Sequence, residues 1–221
     1  NGFDIGFVAP HNGLSPHQFI LVRDDSDIQA VEDLKGKNIA LGAPPQFKAI
    51  TSSWLAVQGG DPSAVSFTIV PDQTTFGVLL QSGQADAAST SSAVNAYRWI
   101  AEYGLRPVGI TNTKELQIAE GSPIAGWWAT AEWFEANREV ATRFRDALRE
   151  TIQWYGALSA QEKAAHVKEQ TTIDLIALDK ELPGVLDAAT AYFGFGTPVD
   201  LEKLAAWVET GARYANVPDD V

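Results

Sequence analysis

Between Asn38 and Gly104 the sequence runs three times through one pattern: a short apolar run, a polar turn, then apolar residues at helical spacing that end on glycine. NIALG (38–42) leads through two prolines to Phe47, Ile50, Trp54 and Val57, stopped by Gly59 and Gly60. SFTIV (66–70) leads through PDQTT to Phe76, Leu79 and Leu80, stopped by Gly83. ADAA (85–88) leads through STSS to Val94, Ala96, Ile100 and Tyr103, stopped by Gly104, and RPVGI (106–110) follows as a further strand. Strands alternating with helices of about ten residues are βαβ units, whose right-handed crossovers predict a parallel sheet covered by helices.

In such a sheet the loops that leave the carboxyl ends of the strands enter helix starts along one edge, where a cleft is expected. Three starts gather there: Pro44 to Phe47, Asp72 to Thr75, and Ser89 to Ser92. A helix start presents backbone N–H donors and the positive end of a dipole, so this edge favours anions or polar groups. The candidate ligand contacts are Pro45, Gln46 and Phe47, then Thr74 and Thr75, then Ser89, Thr90 and Ser91. Each has a plainer alternative. Pro45 suits the first helical position, after which Phe47 merely begins the apolar stripe, and one Ser or Thr per helix start is an ordinary cap. Four hydroxyl residues in a row, Ser89 to Ser92, exceed what one cap requires. Lys48, in a first turn, opposes the helix dipole; it points to an anionic neighbour or ligand, or is simply solvated.

Beyond Ile110 the character changes. SPIAGWWAT (122–130) is a strand-like run in which Trp127 and Trp128 point to opposite faces. One of them facing a cleft would offer a ligand flat apolar surface, while packing is the alternative for both. WFEANREVATRFRDALRETIQWYGAL (133–158) predicts a single long amphipathic helix with Val140, Phe144, Leu148, Ile152 and Tyr155 down one side. The remainder is helical, broken at Pro183-Gly184 and at FGFGTP (193–198) before a last helix, LEKLAAWVETGARYA.

Composition removes several function classes. With 16 basic and 28 acidic residues the net charge is −12, which argues against nucleic acid and against anionic membrane surfaces. No apolar run is long enough to span a bilayer, and no charged-then-apolar leader stands at the front. There is no Cys, hence no disulfide, thiolate nucleophile or thiolate metal site. There is no Met either, so Asn1 is not an initiation product and the chain is expected to be processed or a fragment. His11, His17 and His166 are too scattered for a metal triad, and HExxH is missing. GxSxG is missing; GLSPH (13–17) lacks the strand–turn–helix context of a nucleophile elbow. No strand is followed by GxGxxG or a P-loop, and FGFG sits in the helical region. No catalytic residue, metal or cofactor is expected.

Three segments carry a resemblance. FILVRDDSDIQAVEDLKGKNIALG (19–42) resembles a stretch of the extracytoplasmic solute-binding proteins of the nitrate, sulfonate and taurine class, the NMT1/THI5-like group. In that class an apolar strand ends in a charged turn, then Ser-x-Ile, Asp-Leu-Lys-Gly-Lys and a strand. LLQSGQADAAST (79–90) resembles that group's Gly-Gln-x-Asp-Ala segment, and GWWATAEWFEANREVATRF (126–144) its return strand and long helix. The order of all three makes the likeness more specific than Asp-Leu-Lys-Gly-Lys alone, which is spread through the wider type II group.

The resemblance implies an α/β, two-lobed, hinge-closing receptor of the type II periplasmic-binding-protein fold, not an enzyme. It implies a periplasmic or extracellular, membrane-associated protein that is monomeric when full length. Its partners would be a small-molecule ligand and the membrane permease of an ABC importer. Residues 1–35 would be a remnant of the first lobe with a crossover strand, 36–121 the α/β ligand-binding lobe, and 122–221 the return strand with helices packing on the first lobe. The family's chain normally begins with a strand, helix and strand ahead of this region. Where the family often has small hydroxyl residues after the first strand, this chain has GAPPQF. Two prolines remove two N–H donors and Phe adds apolar bulk, so a larger organic anion, an aromatic carboxylate or sulfonate, suits the site better than nitrate. Two other readings stay open: a ligand-sensing domain of a signalling protein, and an enzyme on the same scaffold related to thiamine-pyrimidine or menaquinone synthesis. The pyrimidine-forming relatives carry a cysteine-rich motif that this chain lacks.

Overall fold

The computed structural model describes residues 4–12, 18–111, 123–171, 173–190 and 201–215. GLSPH and FGFGTP lie outside the described residues. The chain opens with β1 (Ile5–Asn12) and β2 (Gln18–Arg23), a short 3-10 turn, then β3 (Asn38–Gly42) and α1 (Pro45–Val57). Next come β4 (Ser66–Val70), α2 (Phe76–Gln81), β5 (Ala87–Thr90), α3 (Ala93–Tyr103) and β6 (Leu105–Thr111). They are followed by β7 (Pro123–Thr130), α4 (Ala131–Ala136), α5 (Arg138–Ala157) and α6 (Ala160–Gln170). The chain closes with α7 (Leu175–Glu181), α8 (Val185–Thr190) and α9 (Leu201–Ala215).

The strands form two sheets. One has five strands in the order β4-β3-β5-β2-β6; the other pairs β1 with β7. In the larger sheet β3 runs parallel to β4 and β5, whereas β2 is antiparallel to both β5 and β6. It follows that β3, β4, β5 and β6 share one direction and β2 opposes them. The parallel βαβ sheet expected from the sequence pattern is present in β3, β4, β5 and β6, and β2 adds an opposed strand between β5 and β6. The sheet therefore draws a strand from before residue 36, where the sequence placed the start of the α/β unit.

Alternation along the central strands builds a core on each face. Phe19, Leu21, Ala40 and Ala88 point to one side and pack with Phe76, Leu80, Ala96 and Trp99 of α2 and α3. Ile20, Val22, Ile39, Leu41 and Ala87 point to the other and pack with Trp54 and Leu55 of α1. Each large side chain so buried stabilises the fold by about 1.5–3 kcal/mol. Helix α9 packs on α1. Residues Ala49 and Thr51 to Leu55 of α1 are accordingly buried together, a wider buried surface than the Phe47, Ile50, Trp54, Val57 stripe predicted from spacing, while Val57 is exposed. A third cluster, Ala164, Leu175 and Leu186, joins α6, α7 and α8, which contact the sheet unit through α3.

The smaller unit is the β1/β7 ribbon with α4 and α5. The single helix expected over 133–158 is interrupted at Asn137, which ends α4 and precedes α5 with φ −130° and ψ 29°. Of the α5 residues only Ala141 is buried, and Val140 and Phe144 are exposed. A two-stranded ribbon is too small to bury an apolar helix face by itself.

Candidate functional site

The edge predicted to gather helix starts is formed by the carboxyl ends of β3, β4 and β5. Gly42 pairs with Val70, and the Ala40–Ala88 pairing extended by two residues puts Gly42 level with Thr90. Around this edge lie the α1 start, the 3-10 turn Gln73–Thr75 and the α3 start. Pro44 occupies the N-cap of α1 and Pro45 its first position, so neither supplies an N–H; the Phe47 N–H donates to Pro44 O at 3.0 Å. Pro45 and Gln46 are exposed and Phe47 is half-buried. The Phe47 ring folds back over Gly42, where a Cβ would stand 2.9 Å from Cδ2.

Asp72 organises the second loop. Its carboxylate accepts from the Thr74 hydroxyl at 2.7 Å and the Thr74 N–H at 2.9 Å. These donors hold its pKa below the ordinary carboxylate range, the hydroxyl contributing most. The Thr75 hydroxyl donates to Asp72 O at 2.8 Å. Both threonines are exposed, so the plain structural use of their hydroxyls coexists with an accessible position.

The hydroxyl run 89–92 is divided among different tasks. The strand expected at 85–88 is Ala87–Thr90, because Asp86 pairs with the first residue of β3: its carboxylate accepts from the Asn38 N–H at 2.8 Å. Ser89 and Thr90 are therefore the last residues of β5 and are fully buried. Ser89 shares a 2.7 Å hydrogen bond with Thr51 of α1. Thr90 donates to Gln73 Oε1 at 3.2 Å and accepts from the Ser92 N–H at 3.2 Å. Ser92 caps α3, accepting from the Asn95 N–H at 3.3 Å, and Ser91 is half-buried beside it. Lys48 extends towards β4, its ammonium 5.9 Å from the Phe67 ring centre.

The two tryptophans are placed elsewhere. Trp127 lies edge-on to Phe144, with ring centres 5.8 Å apart, and Trp128 lies against Phe7 at 3.7 Å. Together with Val8, Trp133, Val140 and Phe144 they line an open groove of about 570 Å³. The polar side chain in that lining is Thr130, whose hydroxyl accepts from the Trp133 N–H at 3.2 Å and caps α4. None of the candidate residues of the sheet edge lines this groove. Sequence reasoning also missed Gln73, which sits between two strand ends; its signal was the polar PDQTT turn, from which the hydroxyl residues alone were taken.

A mostly parallel five-stranded sheet with one opposed strand, linked in chain order to a second small sheet before and after it, defines the type II periplasmic-binding-protein fold. The NMT1/THI5-like family model matches residues 2–162, and the chain belongs to that family. Among solved structures it is similar to the alkanesulfonate-binding protein SsuA from Xanthomonas axonopodis pv. citri bound to MOPS. There the TM-score is 0.62 at 18% identity, covering 95% of this chain and 67% of that one. It is likewise similar to the periplasmic aliphatic sulphonate binding protein SsuA from Escherichia coli, with TM-score 0.61, 18% identity, and 96% and 68% coverage. For a periplasmic sulfonate-binding protein SsuA from Methylobacillus flagellatus KT the TM-score is 0.68 at 18% identity, over 96% of this chain and 61% of that one. The chain thus spans roughly two thirds of the length of these structures, and somewhat less of the last. A search of the curated proteins found no significant match.

Proposed function

We propose that the chain belongs to an extracytoplasmic receptor that captures a small organic anion, of sulfonate or aromatic carboxylate type, and delivers it to an ABC importer. The observation that carries this reading is the convergence of Phe47 and Gln73 on Gly42 at the carboxyl edge of the sheet, with Thr90 bonded to Gln73. That edge combines an apolar ring, uncharged donors and helix starts, the mixture a small amphiphilic anion requires. The family and the sulfonate-binding structures of the same fold support the ligand class. In this reading Pro45, Gln46, Phe47, Thr74, Thr75 and Ser91 border the ligand, and the buried Thr90 holds Gln73 beneath them. Ser89 supports the strand from beneath, and Trp127 and Trp128 belong to the opposing lobe. The receptor acts in the periplasm or at the outer face of a membrane, as a monomer, and turns nothing over.

The test is a thermal-shift screen of the full-length protein against small alkanesulfonates, taurine, aromatic carboxylates, nitrate and pyrimidines. A ligand that binds only the folded state raises the melting temperature by mass action. A shift confined to sulfonates or aromatic carboxylates, without turnover, supports the receptor; conversion of any of these compounds, or a shift with pyrimidines alone, overturns it.

A further inference from the structure

We propose that Gln73 is the residue of this edge that reads the ligand's oxyanion, through a carboxamide whose orientation the fold fixes. This inference rests on the receptor reading above and names the group that confers its preference for an acceptor.

The argument starts from Thr90. Its hydroxyl is fully buried, accepts from the Ser92 N–H, and has one proton that must find an acceptor. Gln73 Oε1, 3.2 Å away, is that acceptor. The bond decides which way round the carboxamide sits, since the alternative would set NH₂ against a hydroxyl and strand the buried proton. The Gln73 Nε2 donors are thereby turned from Thr90 towards the end of β3. A Cβ on residue 42 would stand 2.5 Å from Nε2, so the amide occupies space that only glycine leaves open. Among the described residues no group accepts a hydrogen bond from Gln73 Nε2, and Gln73 is half-buried, within reach of solvent at the edge.

A half-buried amide with its oxygen committed and its donors uncommitted is built to meet an acceptor. The charges of the adjoining helix starts do not replace it. The Lys48 ammonium lies over Phe67, and the Asp72 carboxylate is engaged by Thr74. An oxyanion held here is therefore met by neutral donors, among which Gln73 Nε2 is the one whose direction the bond to Thr90 fixes. Nε2 would donate its N–H to a sulfonate or carboxylate oxygen, and it offers nothing to a cationic head.

Gln73→Glu separates reading from support. It keeps a carboxyl oxygen for the Thr90 proton and replaces the NH₂ donor by an acceptor. Affinity of the full-length protein is measured by titration calorimetry with MOPS, ethanesulfonate and benzoate, for wild type, Gln73→Glu and Gln73→Ala. The expected result is an unliganded melting temperature near wild type for Gln73→Glu, with binding of the best probe weakened at least about 10- to 100-fold, as loss of a hydrogen bond to a charged group implies. Gln73→Ala should weaken binding less than Gln73→Glu, because it removes the donor without adding a negative charge. Equal affinities across the three proteins would overturn the role of Gln73 while leaving the receptor reading intact. Failure of the wild type to bind any of these anions would overturn both.

Discussion

Thr51 of α1 and Ser89 of β5 share a 2.7 Å hydrogen bond in the interior, and both residues are fully buried. The bond ties the first helix of the sheet unit to the strand that ends at the candidate site. Ser89→Ala should destabilise the fold by about 1–3 kcal/mol, because the Thr51 hydroxyl loses a partner that water cannot replace. The double variant Thr51→Val with Ser89→Ala should be less destabilised than the sum of the single variants, as measured by urea unfolding. Strict additivity would show that the pair is not coupled.

Gly109 of β6 lies under Trp54, and a Cβ there would overlap the indole ring. Gly109→Ala should overpack the α1 face and destabilise by about 1–3 kcal/mol. Trp54→Phe in the same background should recover part of that loss, since a smaller ring vacates the contact. A Gly109→Ala protein as stable as wild type in denaturant would contradict the packing described.

The tryptophans provide a contrast of burial. Trp54 is 2% exposed and Trp128 is 52% exposed. Trp54→Ala should destabilise by about 3–5 kcal/mol, the range for deleting a large core aromatic. Trp128→Ala should destabilise clearly less in the 221-residue chain, with its cost set by the contact with Phe7. Denaturation midpoints of the two variants compare them directly.

Acid should weaken the fold through a set of capping carboxylates. Asp33 accepts from the Gln29 and Ala30 N–H groups, Asp61 from the Ser63 hydroxyl and N–H, and Asp72 from Thr74 in the same way. Each has its pKa lowered by these donors. Because the folded pKa lies below the unfolded one, the unfolded chain binds protons first. The stabilisation is present above the ordinary carboxylate value and is lost as pH falls through the lowered ones. Stability should therefore vary little between about pH 7 and 5 from this source and decline below about pH 4. Asp33→Asn should flatten the decline, which melting temperatures across that range would register.

The candidate site was partly legible in the chain. The glycine-closed repeats located three strand-to-helix junctions, and Asp72 and Ser92 are helix-start residues of the expected kind. What spacing could not give was the division of labour among the hydroxyls. Ser89 and Thr90 read as helix-start residues until the Asp86–Asn38 pairing shows where β5 begins. Gln73 was invisible for a related reason, since an exposed-looking glutamine in a polar turn acquires meaning only from Thr90 and Gly42, which lie 17 and 31 positions away in sequence.

The sequence by itself determined the βαβ rhythm, because apolar period and terminal glycines are local properties, and it determined the family through the order of three segments. NIALG and SFTIV became β3 and β4 with the bounds the pattern predicted. Tertiary structure decided the rest. It inserted β2 against the direction of its neighbours, since strand order depends on which partner is reached by a chain returning from another sheet. It buried α1 broadly because α9 covers it, a contact between elements far apart in sequence. It also set Trp127 edge-on to Phe144 of α5 and Trp128 against Phe7 of β1, because β1 pairs with β7 and α5 packs on that ribbon, contacts between elements far apart in sequence.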